Sequence, residues 1–375
     1  MNAPHKAITT QSPYVLWNPD AKLPPPGAVP DLDWVSHGLV HRAVVGEMQF
    51  LHESAITVHD GRLVAAWAND PRDENSAEGI VRAAWSSDGG LTWSAPEMVG
   101  PGAASPDGQE CDNHVVLHSV GGRLFAYASR WLGGPQEDHN WHPLPSMRAV
   151  QFLYDPPKGA WRETGVTIPR FLLMQGPQKL GDGSWLIVGE FGFNAPAVAI
   201  CESDALDDWK TYPITTKRSL RFPEPTVIVR PDRLTAIIRN FNVLGPPQEV
   251  ALVSESFDHG RTWSEAQLSN LPMVDSKPFG GILSTGQMYL VFNYPDPRSR
   301  RGNLVIGVSK PGEATLSRLW TIRHGIPPVR YVGECKDPQW SYPYAVEHDG
   351  SLYVTYSVSK EDCALSVVPL ASLGR

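Results

Sequence analysis

The sequence predicts an all-β protein, a six-bladed β-propeller with seven blades as the alternative. Three observations carry this. An alternating apolar stretch, a tight turn and a second alternating stretch recur six times, with the turns 50 to 64 residues apart. A tryptophan follows five of the six turns at a distance of 26 to 39 residues. The 33 Gly, 35 Pro and 13 Trp in 375 residues supply many turns and large flat anchors, which suits short strands better than helices.

The copies start at Phe50 (FLHESAITVHDGRLVAAW), Cys111, Phe171, Arg221, Met273 and Gln339 (QWSYPYAVEHDGSLYVTYS). Period-2 apolar positions flank turns centred on Gly61, Gly122, Gly183, Arg233, Gly286 and Gly350, so each copy reads strand, turn, strand. A large side chain at Trp93, Trp161, Trp209, Trp263 and Trp320 suits the wedge of core between neighbouring blades. The whole chain, 1–375, is read as one domain, with blades starting near 50, 111, 171, 221, 273 and 339. Residues 1–49 form a closing strand and linker. Only 25 residues follow Gly350, room for one strand at 364–369 but not two. The run Tyr14-Val15-Leu16-Trp17 is therefore expected to return as the missing outer strand, because an unclosed ring leaves sheet edges unpaired.

Composition removes several classes of function. Lys+Arg 32 against Asp+Glu 40 gives a net charge of −8, which opposes any dominant affinity for nucleic-acid phosphate. No run approaches the roughly 18 apolar residues of a bilayer span, so no membrane partner is expected. Cys111, Cys201, Cys335 and Cys363 are far apart, without CxxC or Cys/His spacing, and read as buried free thiols. No metal or cofactor is expected from these patterns, though a cation held by backbone oxygens would leave no trace in them. Met1–Ser12 is polar and has no apolar h-region, so the expected location is cytoplasmic, or secreted or periplasmic if a native leader was removed. Oligomeric state is not legible.

The sharpest motif is SSDGGLTW, Ser86 to Trp93, which returns as SFDHGRTW, Ser256 to Trp263. Both fit Ser-x-Asp-x-Gly-x-Thr-Trp, the Asp-box or bacterial neuraminidase repeat. Its logic is structural: Asp88 and Asp258 accept backbone N–H bonds within a hairpin loop, Gly90 and Gly260 permit positive φ, and the tryptophan packs beneath. Degenerate copies sit at Tyr154–Trp161, Ser203–Trp209 and Ser309–Trp320. The motif speaks for fold rather than chemistry.

With these repeats the chain resembles the sialidase-superfamily six-bladed propellers, the BNR or predicted-neuraminidase proteins. The resemblance implies a site at the ring axis, built from the starts of the innermost strands: His52, Asn113 and His114, Gln175, Glu224, Asp275 and Ser276, and Tyr342. A propeller axis is also the natural pocket of the architecture. Sialidases use a tyrosine nucleophile partnered by a glutamate, because an attacking carboxylate would be repelled by the carboxylate on the anomeric carbon. By this resemblance Tyr342 in SYPY matches the nucleophile and Glu224 in FPEPTV the glutamate that draws off its proton. Taken alone, they are equally a rim aromatic and a solvated carboxylate. Arg239 matches the second arginine of a carboxylate clamp, and Arg301 or Arg300 the third. The acid falls on the 68–79 loop, at Asp73 or Glu74. The chain departs at the first arginine: it reads His52-Glu53-Ser54 where sialidases carry Arg-Ile-Pro, and a neutral imidazole cannot replace a charged bidentate fork.

Three functions are compatible with these residues, each with a glycan or acidic sugar as partner. The first is a sialidase-like exo-glycosidase acting on a terminal acidic sugar. The second is a polysaccharide lyase that cleaves a uronic-acid-containing glycan by β-elimination, with His52, His114 and Tyr342 moving protons and Arg239 and Arg301 neutralising the uronate. The third is a non-catalytic carbohydrate-binding propeller, for which the insertion 133–147, with His139, Trp141 and His142, offers a stacking rim.

Overall fold

The computed structural model describes residues 13–134, 146–244 and 248–374. Six separate antiparallel sheets follow one another along the chain and form a six-bladed propeller. Blade one pairs Phe50–His59, Arg62–Asp70, Ile80–Ser86 and Glu97–Gly100; blade three pairs Phe171–Lys179, Trp185–Phe191, Ala195–Cys201 and Lys210–Pro213. Blades four and five start at Thr226–Val229 and Phe279–Ile282. Blade two starts at Gly108–Val120 and carries a fifth, short strand, Ala103–Ser105, beside it.

Blade six holds Trp340–His348, Ser351–Val358 and Asp362–Pro369, and its fourth strand is Ser36–His41, paired antiparallel with Ser36 opposite Val367. The N-terminus thus closes the ring, but with a later segment than expected. Tyr14–Trp17 instead bridges Ser269 of blade four and Leu316 of blade five in parallel. Leu16 and Trp17 are buried among Ile237, Leu271 and Phe292, and the Asn270 side chain accepts both Leu16 N and Trp17 N at 2.9 and 2.8 Å. An apolar tetrapeptide with two large side chains fills a gap between blades better than it serves as a solvent-facing edge. Ser36–His41, mostly exposed, carries too little alternation to be read as a strand beforehand.

The Asp-boxes behave as loop staples. Asp88 Oδ1 accepts Thr92 N and Asp258 Oδ1 accepts Thr262 N, both at 2.9 Å, while Trp93 and Trp263 donate Nε1–H to the carbonyls of Gly90 and Gly260. Gly90 and Gly260 sit at φ 88° and 85°, where a side chain would be strained.

One feature of the inner strands positions everything that follows. Blades one, two, three and six each carry one extra residue at the same level, between His52 and Ala55, Asn113 and Val115, Leu173 and Gln175, and Ser341 and Tyr344. Such bulges re-aim side chains out of the sheet's alternation. Further along, Gln175 joins three blades: its Nε2 donates to Gly280 O at 3.1 Å, and its Oε1 accepts Thr226 Oγ1 and Val227 N at 3.0 and 2.9 Å. The Tyr344 hydroxyl of blade six accepts Gly176 N of blade three at 2.9 Å.

Candidate active site

Strained backbones hold the side chains at the starts of the inner strands. Glu53, His114, Glu224 and Tyr342 all have positive φ, at 48°, 40°, 30° and 58°. A non-glycine residue there costs about 1–3 kcal/mol, a strain that clusters at functional sites. His114, Glu224 and Tyr342, together with His52, Arg239 and Arg301, line one cavity of about 650 Å³. Each of the first five is at least nine-tenths buried, so charges here act in a poorly screened medium.

Most of the cations around this cavity already have a carboxylate. Arg239 Nη1 is 2.6 Å from Glu224 Oε2, Lys360 Nζ is 2.9 Å from Glu74 Oε2, Lys277 is bonded to Glu53, and Arg300 to Asp275. Arg301 differs. Its acceptors are Gln339 Oε1 at 3.0 Å, the Asp275 carbonyl at 2.8 Å and the Tyr342 hydroxyl at 3.4 Å, all uncharged. Among the described residues no carboxylate lies in ion-pair range of Arg301, which leaves its charge open to an anion.

Burial raises the Tyr342 phenol, Lys360 partly offsets this, and Glu224 adds to it. The His52 ring packs edge-on against Tyr342, centroids 4.2 Å apart at 70°. Burial, and secondarily Lys360, hold His52 well below its ordinary value; burial and Lys277 bring His114 down to about 3. Both imidazoles are therefore neutral near pH 7. Burial works to raise Glu74, but attraction and hydrogen bonding from Lys360 outweigh it and leave Glu74 below the usual range. Glu190, whose Oε1 accepts Glu224 N at 2.8 Å, is pushed well up, first by burial and then by Glu224.

A family model described as a BNR repeat-like domain matches residues 61–354. The chain belongs to the BNR repeat-like family. A search of curated protein sequences finds no match. In solved structures this BNR-repeat protein is similar to the Hadza microbial sialidase Hz136, with TM-score 0.68 at 15% identity over 90% of this chain and 69% of that one. It is similar to a protein of unknown function from Dyadobacter fermentans, with TM-score 0.66 at 14% identity over 90% and 100%. Trypanosoma rangeli sialidase in complex with sialic acid aligns with TM-score 0.65 at 15% identity over 92% of this chain and 60% of that one. At such identities the likeness is one of fold.

In this BNR-repeat protein the sequence-selected residues divide. Tyr342, Glu224, His52, His114, Glu74, Arg239, Arg300 and Arg301 all border the cavity. Asp73 does not; its carboxylate accepts the backbone N–H groups of Glu334 and Cys335 and so fixes a loop. Asn113 turns inward, its Oδ1 accepting His114 N at 2.8 Å. Ser276 is buried beside the site, Gln175 is spent on the inter-blade bonds above, and Asp275 holds Arg300. Trp141 lies outside the described residues. Cys335 departs from the buried-thiol expectation: it is half-buried and borders the cavity.

Sequence reasoning missed Lys360, Lys277 with Glu53, Glu190, and an apolar wall of Phe193, Phe222 and Phe241. Lys360 sits in a turn between the second and third strands of blade six, with φ 55°. The corresponding loop of blade one carries Glu74, so a search of these connections for charged residues would have found Lys360. Glu53 could have been found as the bulge neighbour of His52.

Proposed function

We propose that this protein is a retaining exo-glycosidase acting on a terminal acidic sugar of a glycan. The observation that carries the reading is the meeting of Tyr342, Glu224, Arg239 and the uncommitted Arg301 on one cavity, with Arg301 already at the phenol. A substrate carboxylate placed on Arg301 lies beside Tyr342 Oη. Its second neighbour is Arg239, for which it competes with Glu224. Releasing Glu224 from Arg239 makes it a stronger base when the phenolic proton must leave.

In the first step Tyr342 Oη bonds to the anomeric carbon, the carbon–aglycone oxygen bond breaks, and Glu224 takes the phenolic proton. Glu74 is the acid by position, since Asp73 is held away. Because Lys360 keeps Glu74 ionised, Glu74 takes up a proton from solvent as Lys360 shifts toward the arriving substrate, then gives it to the leaving oxygen. In the second step water bonds to the anomeric carbon as Glu74 takes its proton, the carbon–Tyr342 oxygen bond breaks, and Glu224 returns its proton to Tyr342. The phenylalanine wall suits an apolar substituent on the sugar.

A second reading keeps one observation in its favour. The neutral His52 against Tyr342 is also a base–acid pair suited to β-elimination from a uronate. Mass spectrometry of products from a panel of sialylated, ulosonic and uronic glycans decides. Products carrying added water support hydrolysis. An unsaturated, ultraviolet-absorbing end without added water replaces it with elimination, and no product from any glycan rejects both.

A further inference from the structure

Three ligand-bearing side chains converge beside Tyr342 in a way that the proposed hydrolysis does not use. His114 Nε2 is 3.5 Å and His52 Nε2 4.0 Å from the same oxygen, Glu53 Oε1. One donor atom from each of the three lies within 4.8 Å of the others, and all three residues are buried. Both ring nitrogens of His52, Nδ1 of His114 and Oε1 of Glu53 lack a hydrogen-bond partner among the described residues. Leaving one such atom unsatisfied costs about 1–3 kcal/mol, and two of these four, His52 Nε2 and Glu53 Oε1, face the same point as His114 Nε2.

Lys277 accounts for only half of Glu53. It binds Oε2, which fixes the carboxylate plane and leaves Oε1 facing the two imidazoles. Such an outer contact is how ligating carboxylates are oriented. The strained backbones at Glu53 and His114 serve the same convergence, since the bulges turn both side chains to one point.

We propose that His52, Glu53 and His114 form a divalent-cation site, of the class that takes zinc or a similar imidazole-binding ion, open on one side to the axial cavity. Two nitrogen ligands and one oxygen favour such ions over magnesium or calcium, which prefer all-oxygen shells. Ligand atoms of a tetrahedral zinc site lie about 3.3–3.5 Å apart given metal–ligand bonds near 2.0–2.1 Å. The His114–Glu53 separation of 3.5 Å meets this already, and the His52–Glu53 separation of 4.0 Å shortens when His52 turns toward the ion. Three protein ligands leave a coordination position directed at the cavity, where His52 and His114 are part of the wall. That position takes an oxygen of the acidic sugar, and the ion supplies positive charge where the chain has His52-Glu53 in place of an arginine. This last part rests on the acidic-sugar reading; the cation site itself does not. Lys277 beside Glu53 and the absence of acceptors for the outward ring nitrogens make the binding exchangeable rather than permanent.

The test uses the full chain, stripped with a chelator and titrated calorimetrically with zinc chloride in the absence of any glycan. One equivalent bound per chain is expected, with affinity falling at least roughly tenfold in His52→Ala, His114→Ala and Glu53→Gln. Magnesium and calcium should bind more weakly than zinc. Cobalt substitution gives an independent readout, an absorption band lost in the same variants. Circular dichroism and a thermal melt identify any variant that fails to fold, and Glu53→Gln, which keeps size and shape, then carries the comparison. Failure of the unaltered chain to bind zinc, or equal binding by folded variants, overturns the site. Titration of N-acetylneuraminic acid with and without zinc addresses the final ligand: tighter binding with zinc supports it. Zinc binding with no effect on the sugar overturns that assignment alone.

Discussion

Arg239 Nη1 lies 2.6 Å from Glu224 Oε2, and no hydrogen bond among the described residues joins Glu224 to Tyr342. The candidate base is thus held by a cation that also suits a substrate carboxylate, while the candidate nucleophile rests against a second cation, Arg301. Without a ligand the pair is arranged to wait. Under the proposed reading the acidic group of the substrate would break the Arg239–Glu224 pair and bring the base into use, making charge recognition and activation one event.

If that is so, Tyr342→Phe lowers kcat on an aryl glycoside of an acidic sugar by about 10²–10⁴-fold, the range for loss of a positioned catalytic group. Binding of the free acidic sugar, measured by calorimetry, stays near that of the unaltered chain. A rate within a few-fold of the unaltered chain removes Tyr342 from the chemistry.

Arg301 has no carboxylate partner among the described residues, so Arg301→Ala costs binding without leaving a buried acid unpaired. Hydrogen bonds to a charged group contribute about 1.5–3 kcal/mol, roughly 10- to 150-fold in affinity. The loss should vanish for the methyl ester of the same sugar. Arg300→Ala, a residue already paired with Asp275 and largely exposed, should change affinity for the acid only slightly.

The Glu74–Lys360 pair sets a pH dependence. Lys360 holds Glu74 below the usual range, so its protonated, acid-competent form is favoured only toward low pH. Lys360→Met removes the attraction and leaves the burial, and the Glu74 carboxyl rises. The alkaline limb of the kcat/KM profile is then expected to move to higher pH. An unmoved limb assigns the acid elsewhere.

Asp70 reports on the same loop through stability. Burial pushes its carboxyl up to about 8, even though Ser76 donates both N–H and Oγ–H to Oδ1. The folded state therefore keeps a proton that the unfolded chain releases above its ordinary value near 4. Its contribution is complete below about pH 4 and is lost as pH rises through 8. Asp70→Asn keeps an acceptor for Ser76 and cannot ionise, so its thermal midpoint should gain on the unaltered chain steadily between pH 4 and 8. A constant difference across that window contradicts the shift.

Much of this molecule was legible before its coordinates. The six hairpins with glycine-type turns, the two Asp-boxes and the recurring tryptophans are local patterns, set by alternation and by backbone positions that only certain residues tolerate. They imply a propeller, and the propeller implies an axis where distant strand starts meet. That axis places Glu224, Tyr342 and His52 at strand starts, and the resemblance to sialidases singles out the first two. Closure was less legible: Tyr14–Trp17 looks more like a strand than Ser36–His41 does, because apolar content marks burial and not pairing.

Partnership was beyond the sequence. Whether Asp73 or Glu74 faces the cavity depends on one residue of loop path, and the backbone of Glu334 and Cys335 decided it by capturing Asp73. That Arg239 is committed to Glu224, Lys360 to Glu74 and Lys277 to Glu53, while Arg301 meets only uncharged acceptors among the described residues, depends on distances between residues far apart in the chain. Local chemistry determines which residues form strands and turns. Only the closed ring decides which charges neutralise each other, because Coulomb attraction in a buried cavity acts on separation in space and is indifferent to separation in sequence.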